Sequence, residues 1–333
     1  MSLFIGIEST SLSENDIARL KNKQVAGVIL FTRNYENFEQ LKNLCTEISE
    51  IAPNLPIGVD CEGGRVQRFR GGVFSDLPAA AKFGELFDRR PQTACLAAYA
   101  AGLVCAYELA AVGIDFSFAP VLDLRDEKSS VIGDRAFHQD AAVVSLLSTA
   151  WRRGAREFQM PSVGKHYPGH GRIFGDSHTM LPKDSRSYGA RQADRLPFYA
   201  AAYDGIEAIM AAHILLPEDT RPSGFSAKCL QSLRDFGFDG AIFSDDLDMQ
   251  AAKELFPDAA VRSQHALSAG ADAAMICNSF QDMDIALASN LLCREPEKSQ
   301  KRIQKLSRNK TIVHTTESRE KYLFARKRLA PLL

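Results

Sequence analysis

The sequence lacks any pair of cysteines with the spacing of a zinc site or a redox motif. Its seven cysteines are an odd number and are scattered through apolar segments. These features argue against a disulfide framework and favour reduced thiols, which predicts a cytoplasmic protein. The cysteines are Cys45, Cys61, Cys95, Cys105, Cys229, Cys277 and Cys293.

An excess of charge of one sign is also missing. The chain has 40 Lys and Arg residues against 41 Asp and Glu residues, so that its formal net charge is −1. This balance gives no general attraction toward nucleic acids or anionic membranes. We find no apolar run that approaches the roughly 20 residues of a membrane span, and the first residues, MSLFIGIEST, lack the basic region of a signal peptide. We therefore predict no nucleic-acid or membrane partner, and we expect a monomer.

What the sequence does have is an alternation of short apolar runs and longer helical patterns, which include Pro78–Val112 and Asp248–Ala269. Strands that alternate with helices predict βα units and a parallel sheet. Eight such units match a single (β/α)8 TIM barrel. The alternative, a doubly wound sheet, ordinarily has a Gly-rich turn after its first strand, and Glu8-Ser9-Thr10 is not one. The predicted strands are Phe4–Ile7, Val25–Phe31, Pro56–Val59, Ile114–Ala119, Ser162–Lys165, Ala208–Ala212, Ala241–Ser244 and Ala273–Ile276.

A polar or charged residue stands at or just after the end of nearly every predicted strand. The general polarity of loops explains some of these residues, but not a nearly unbroken set. In a TIM barrel the carboxyl ends of the strands meet on one face, where the βα loops form the active site. We therefore expect a pocket on this face. The residues are Glu8, Arg33, Asp60, Asp123, Lys165, His166, His213, Asp245 and Asn278.

The segment Lys165–His178, KHYPGHGRIFGDSH, combines three histidines with a lysine, an aspartate and three glycines. Histidine can both give and take a proton near neutral pH. Asp176 and His178 stand two apart, so that in a loop the carboxylate can accept from one imidazole nitrogen and raise the basicity of the other. The pair predicts a general acid/base. A lone loop histidine is more often a surface residue, but the neighbouring Asp176 favours the catalytic interpretation.

Asp245 and Asp246 end the apolar run IFSDD, which leads into a predicted helix. A carboxylate at a strand end can point into the mouth of the barrel, whereas the start of a helix favours negative charge. One of the two is therefore a catalytic candidate and the other a structural anchor. The competing interpretation is that both residues only cap the helix.

Donors and acceptors are mixed among the other candidate residues. Lys165, His166, Arg68 and Arg135 are rich in donors, whereas Asp60 and Glu62 are acceptors. A purely basic ring would suit a phosphate, but a mixed ring suits the hydroxyl groups of a sugar.

A catalytic metal is the alternative for the histidine-containing segment. The histidines His166, His170 and His178, together with Asp176, could supply ligands. Their spacing does not match a standard zinc signature. We therefore predict neither a metal nor a cofactor, with a metal-dependent TIM-barrel hydrolase as the alternative.

Residues 294–333 differ from the rest of the chain, because they contain twelve Lys or Arg against four Glu. We predict a barrel domain over residues 1–292 and a basic helical extension over 293–333 that packs on the barrel. A charge run is usually a solvated face, and a patch for nucleic acid or another partner is the alternative.

Several motifs together resemble glycoside hydrolase family 3, most closely its bacterial cytosolic β-N-acetylglucosaminidases of cell-wall recycling. The motifs are VDCEGGRVQRF, KHYPGHG with GDSH, and FSDDLDM, and the resemblance extends from about residue 3 to 280. Cys61 departs from the family, which usually has a polar residue at this position.

The resemblance implies a retaining mechanism with a covalent glycosyl-enzyme. It makes Asp245 the nucleophile and His178, oriented by Asp176, the general acid/base. The implied substrate is a terminal β-linked N-acetylglucosamine on an anhydro-muropeptide from peptidoglycan, removed by exo-action. A phosphorylase, in which phosphate replaces water, is an alternative. The implied substrate contacts are Asp60, Arg68, Arg135, Lys165 and His166.

Overall fold

The computed structural model describes residues 1–127, 129–173, 180–308 and 315–332. All eight predicted strands are present, with ends that shift by a few residues. Two short strands, β4 and β5, were not predicted. The strands are β1 (Leu3–Gly6), β2 (Val25–Leu30), β3 (Ile57–Val59), β4 (Cys61–Gly63), β5 (Val66–Gln67), β6 (Phe116–Ser117), β7 (Val163–Tyr167), β8 (Ala208–Ala211), β9 (Ala241–Asp246) and β10 (Ala273–Ile276).

Eight of these strands form one parallel sheet in the order β6-β3-β2-β1-β10-β9-β8-β7. The two edge strands, β6 and β7, approach each other through parallel bridges from Ser117 to Ser162 and from Val121 to Lys165. The backbone N–H of Val163 also donates to the carbonyl of Ala119 at 3.1 Å. The sheet is therefore nearly closed into a barrel, and the predicted TIM-barrel fold is confirmed.

Aromatic side chains fill the centre of the barrel. Phe243 on β9 contacts Phe4 on β1 with ring centroids 4.8 Å apart, and Phe118 after β6 with centroids 5.5 Å apart. Gly27 gives room for this packing, because a Cβ atom there would lie 2.1 Å from the Phe4 ring. The interior is thus a packed core and not a channel, as in other barrels of this type.

Proline residues divide two of the predicted helices. The predicted helix from 78 to 112 is two helices, with Pro91 as the first residue of the second one, and the predicted helix from 248 to 269 is interrupted near Pro257. Proline lacks an N–H and clashes with the preceding turn, so it favours a helix start over a helix interior. The helices are α1 (Glu14–Leu20), α2 (Phe38–Ile51), α3 (Ala80–Phe87), α4 (Pro91–Ala111), α5 (Ala141–Arg156), α6 (Gln192–Tyr203), α7 (Ala227–Asp235), α8 (Gln250–Lys253), α9 (Ala259–Ala269), α10 (Phe280–Ala288), α11 (Pro296–Gln304) and α12 (Thr316–Leu329).

Helix α4 contradicts the prediction that the chain has no apolar segment of nearly the length of a membrane span. By length and composition alone, its 21 residues could cross a membrane, and 67% of its most apolar window is buried in the structure. The burial comes from neighbouring helices, above all α5, which approaches α4 closely at Gly102 and Gly154. Packing inside the protein thus accounts for the apolar character of this alanine-rich helix.

The hairpin β4–β5 follows the third barrel strand and carries the Cys61-Glu62-Gly63 segment. Gly63, the last residue of β4, and Gly64, the first residue of the turn, have φ angles of 89° and 56°, which L side chains rarely adopt. The side chain of Gln67 stabilises the hairpin by donating to the carbonyls of Phe69 and Ser75. This hairpin places Glu62 within reach of Arg135 and Lys165, two residues of the pocket described below.

Helices α11 and α12 occupy the basic segment. On α12, the Tyr322 ring stacks on Tyr107 of α4 with centroids 4.2 Å apart, and its hydroxyl donates to Glu108 at 2.8 Å. On α11, Ser299 and Arg302 both donate to the buried carboxylate of Asp272. The helical extension is therefore present, while the division of the chain at residue 292 stays a prediction.

Candidate active site

A pocket of about 290 Å³ opens at the carboxyl ends of the barrel strands. Its walls come from strand ends and the βα loops, as expected for this fold. Six of the eight predicted site residues line it. They are Asp60, Arg68, Arg135, Lys165, His166 and Asp245.

Asp60 follows β3 and accepts from two cations. Its Oδ1 atom lies 2.7 Å from Nζ of Lys165, and its Oδ2 atom lies 2.8 Å from a guanidinium nitrogen of Arg68. Burial alone would raise the pKa of this carboxyl group, but the two positive charges outweigh burial and lower the pKa well below its usual range. Asp60 is therefore a fixed anion that orients both cations.

Glu62 holds the second half of this charge network. Its carboxylate accepts from Arg135 through two hydrogen bonds, both 2.9 Å long, and lies 2.6 Å from Nζ of Lys165. Burial would raise the pKa of Glu62, but Arg135 and then Lys165 lower it. Lys165 is almost completely buried between Asp60 and Glu62. The cations of the pocket are thus already paired with carboxylates before a ligand binds. At Arg135 the pairing is bidentate, which fixes the orientation of the guanidinium.

His166 is oriented by Asp123, a fully buried carboxylate. Nδ1 of His166 lies 2.7 Å from the carboxylate, which also accepts from the backbone N–H groups of His166 and His170. Burial opposes ionisation of Asp123, but the two histidines and these hydrogen bonds lower its pKa. A proton on Nδ1 leaves Nε2 of His166 facing the pocket, 3.4 Å from Arg135.

His170 also lines the pocket, although the sequence indicated it only as a possible metal ligand. Its ring is buried and packs edge-on against His166, with centroids 6.2 Å apart. Within the described part of the chain, neither ring nitrogen has a hydrogen-bond partner. Burial lowers the pKa of His170, because it disfavours the charged form of the imidazole.

Asp245 and Asp246 end β9 and have different surroundings. Asp245 lines the pocket, and its Oδ1 atom accepts from the backbone N–H of Asp246 at 2.8 Å. Asp246 accepts from the backbone N–H of Asp248 and from the side-chain amide of Asn278. The interpretation that both residues only cap a helix is wrong, because neither carboxylate caps α8, which has Met249 at its N-cap.

Three carboxylates lie close together at this strand end. Burial, followed by repulsion from Asp248 and Asp245, raises the pKa of Asp246 to about 7. Asp248 instead accepts from the backbone N–H groups of residues 277, 278 and 279. Asp248 thus joins the end of β9 to the end of β10 and holds the loop that supplies Asn278.

The two remaining predicted site residues, Asp176 and His178, lie outside the described residues. Their pairing and its catalytic role stay predictions. Among the residues that the structure describes, no group of three or more His, Cys, Asp or Glu side chains is arranged to hold a metal ion.

Apolar residues form a large part of the pocket wall, and sequence reasoning did not identify them. The sequence shows only that these apolar residues stand next to strand ends. Residues of the core stand there too, so the position does not identify a pocket residue. Apolar surface of this kind suits the ring faces of a sugar. The residues include Phe31, Phe118, Met210, Met249, Met275 and Cys277.

Comparison with known proteins agrees with this fold and pocket. Residues 6–306 match the glycosyl hydrolase family 3 N-terminal domain. The chain is 47% identical over 292 residues to a beta-hexosaminidase of Thiobacillus denitrificans, covering 86% of this chain and 80% of that protein. It is 45% identical over 284 residues to a beta-hexosaminidase of Neisseria meningitidis, with 82% and 76% covered.

Solved structures show the same similarity in three dimensions. NagZ from Neisseria gonorrhoeae, in complex with N-trifluoroacetyl-D-glucosamine, superposes with a TM-score of 0.90 at 37% identity and covers 98% of both chains. A family 3 β-N-acetylglucosaminidase from Paenibacillus has a TM-score of 0.85 at 27% identity, with 98% of this chain and 67% of that one covered.

The barrel and its pocket are thus those of a glycoside hydrolase that acts on a small carbohydrate. More specifically, the chain belongs to glycosyl hydrolase family 3.

Proposed function

We propose that this protein is an exo-acting, retaining β-N-acetylglucosaminidase. The observation that carries the proposal is the pocket, where the carboxylate of Asp245 faces a mixed ring of donors and acceptors. Retaining glycosidases need a nucleophile and a proton donor on either side of the glycosidic bond. Asp245 can be the nucleophile because it is exposed to the pocket on a rigid strand end.

In the proposed mechanism, the Asp245 carboxylate attacks the anomeric carbon while His178 protonates the leaving oxygen. Water, deprotonated by His178, then releases the sugar from the covalent intermediate with its configuration retained. Asp176 orients His178 and stabilises its protonated form. A neutral imidazole base avoids repulsion with the Asp245 carboxylate, and its ordinary pKa suits catalysis near neutral pH.

The paired charges around Asp60 and Glu62 support binding of a neutral sugar. Each cation there is already balanced, yet keeps N–H groups that can donate to hydroxyl oxygens. The carboxylates can accept from sugar hydroxyls in return. We assign the substrate contacts to the five predicted residues of this ring: Asp60, Arg68, Arg135, Lys165 and His166.

The choice of an N-acetylated sugar rests on the relatives. Two of them are named beta-hexosaminidases, and the gonococcal NagZ structure holds a derivative of D-glucosamine. The resemblance of the motifs to cytosolic enzymes of cell-wall recycling supports an anhydro-muropeptide as the substrate. It also supports a cytoplasmic location, in agreement with the odd number of cysteines scattered through apolar segments.

Turnover of a chromogenic β-N-acetylglucosaminide by the wild type and by Asp245→Ala tests the nucleophile. The variant should lose activity by several orders of magnitude, whereas the control Asp235→Ala, at an exposed acid on α7, should keep it. His178→Ala should impair natural substrates more than activated aryl glycosides, because good leaving groups need less protonation. Equal losses on both substrates would remove His178 from the acid role.

Incubation with purified anhydro-muropeptides tests the substrate and the stereochemistry. NMR should show N-acetylglucosamine released first as the β-anomer. Release of a sugar phosphate in phosphate buffer would instead indicate a phosphorylase, and loss of activity after exhaustive chelation would indicate a metal-dependent enzyme.

A further inference from the structure

One side chain of the basic C-terminal segment reaches a buried carboxylate of the barrel. The hydroxyl of Tyr322 on α12 donates to Oε1 of Glu108 on α4 at 2.8 Å. Glu108 is buried, and burial raises the pKa of its carboxyl group more than the hydrogen bonds from Ser75 and Tyr322 lower it. Such a group depends on each of its donors, because an unsatisfied buried acceptor costs more free energy than its hydrogen bond contributes.

The same carboxylate holds the loop that follows the hairpin β4–β5. Ser75 in this loop donates to Glu108 twice, from its backbone N–H at 2.9 Å and from its hydroxyl at 2.6 Å. The carbonyl of Ser75 accepts from the side-chain amide of Gln67 on β5 at 2.7 Å. The amide oxygen of Gln67 accepts in turn from the backbone N–H of Leu77 at 3.0 Å. An unbroken series of hydrogen bonds therefore leads from Tyr322 on α12 to strand β5.

Helix α4 also holds the other strand of the hairpin. Sγ of Cys105 donates to the carbonyl oxygen of Cys61 on β4, at 3.7 Å. Cys105 precedes Glu108 by three residues, and residues three apart lie on the same face of a helix. One face of α4 thus fixes the hairpin at two points, and α12 takes part in one of them through Tyr322.

Arg68 directly follows this hairpin and is one of the assigned substrate contacts. Its backbone N–H donates to the carbonyl of Asp60 at 3.2 Å, and its guanidinium donates to the Asp60 carboxylate at 2.8 Å. Gln67, the preceding residue, is bound through its side chain to the loop that Glu108 holds. A shift of this loop would therefore move the backbone from which the Arg68 side chain extends into the pocket.

We propose that Tyr322 and Glu108 are positioning residues that hold Arg68 in place for substrate binding. They act through Ser75 and Gln67. The inference rests on the proposed function, in which Arg68 contacts the sugar. It makes α12 a part of the substrate-binding site, although this helix lies beyond residue 306, where the match to the family domain ends.

Steady-state kinetics of the full-length protein on a chromogenic β-N-acetylglucosaminide tests the proposal. Tyr322→Phe keeps the ring that stacks on Tyr107 and removes only the hydroxyl. It should raise KM by about threefold, within the range of coupling between neighbouring residues. It should leave kcat unchanged, because a contact that is equally strong in the ground state and the transition state affects only KM. Ser75→Ala removes the other hydroxyl that donates to Oε1 of Glu108 and should have the same effect.

The matched control is Tyr99→Phe, which removes a tyrosine hydroxyl from α4 itself. The hydroxyl of Tyr99 lies beside Glu157, at the end of α5 and outside the series of hydrogen bonds described above. This variant should keep the KM of the wild type. A purely structural defect would not imitate the expected result, since an unfolded fraction lowers the apparent kcat and leaves KM unchanged.

A double-mutant cycle with Arg68→Ala shows whether the effect passes through this arginine. Arg68→Ala alone should raise KM, and the addition of Tyr322→Phe should raise it no further. A further rise overturns the inference, and so does a wild-type KM of Tyr322→Phe beside a raised KM of Arg68→Ala. Both of these results leave the proposed substrate contacts intact. A wild-type KM of Arg68→Ala instead overturns the assigned contact together with the inference.

Discussion

Buried carboxylates set the orientation of the pocket residues, and Asp123 is the clearest example. It holds the ring of His166 and the backbone of His170 at once, although the sequence indicated it only as a polar strand end. Its importance could not be predicted from the sequence, because its partners lie 43 and 47 positions away. Asp60 and Glu62 could be recognised as acceptors, but not as the two ends of one charge network.

Asp123→Asn should lower kcat/KM by about tenfold, because the variant loses a charged hydrogen bond to Nδ1 of His166. Steady-state kinetics on a chromogenic β-N-acetylglucosaminide measures this effect. Asp235→Asn, at an exposed acid on α7, is the control and should behave like the wild type. Unchanged kinetics of the Asp123 variant would show that the orientation of His166 does not matter for turnover.

Asp246→Asn should stabilise the protein increasingly as the pH rises. The pKa of Asp246 is raised from 3.8 to about 7 in the folded protein, so the unfolded chain ionises first. The wild type therefore loses stability between these two values and loses no more above the higher one. Urea unfolding at about pH 5 and about pH 8 should show a larger advantage of the variant at the higher pH. An advantage that does not change with pH contradicts the raised pKa.

At the scale of helices and strands, the eight barrel strands could be predicted because each is a short apolar run that ends in a polar residue. The hairpin β4–β5 could not, since its strands are only three and two residues long and carry Glu62 and Gln67. Pro91 and Pro257 are possible break points in the sequence, but the helical pattern continues on both sides of each proline and so predicts unbroken helices. The burial of α4 depends on α5 and α12, which no local pattern specifies.

The contact between α4 and α5 should tolerate no side chain at Gly154. A Cβ atom there would lie 1.9 Å from the carbonyl oxygen of Tyr99, so the helices would have to move apart. We expect Gly154→Ala to lower the free energy of unfolding by about 2 kcal/mol, measured by urea denaturation. Gly189→Ala is the control, since a Cβ atom at Gly189 meets nothing within 4 Å. Equal stability of the two variants would rule out close packing at this point.

For the whole molecule, the paired carboxylates predict how the protein responds to acid. The pKa values of Asp60, Glu62 and Asp123 are all lowered in the folded state, so the unfolded chain takes up protons first as the pH falls. Their contribution to stability is complete above the ordinary values of 3.8 and 4.5 and is lost below them. Stability should therefore fall steeply with decreasing pH in this range.

Urea unfolding at several pH values checks this dependence. Asp60→Asn should reduce the steepness of the acid decline, because one of the three linked protonations is removed. An unchanged slope in this variant would mean that Asp60 is not held ionised by Lys165 and Arg68. The window lies below the one in which Asp246 acts, so the two effects can be separated by pH.

The phenylalanines that plug the barrel also limit what can enter it. A polysaccharide cannot thread through the molecule, because Phe4, Phe118 and Phe243 close the passage beneath the pocket. Under the exo-action proposed above, a glycan would enter end first, and its terminal ring would stop at these phenylalanines in a space of about 290 Å³. The depth of the pocket would then limit the enzyme to one sugar per binding event, taken from the end of the chain.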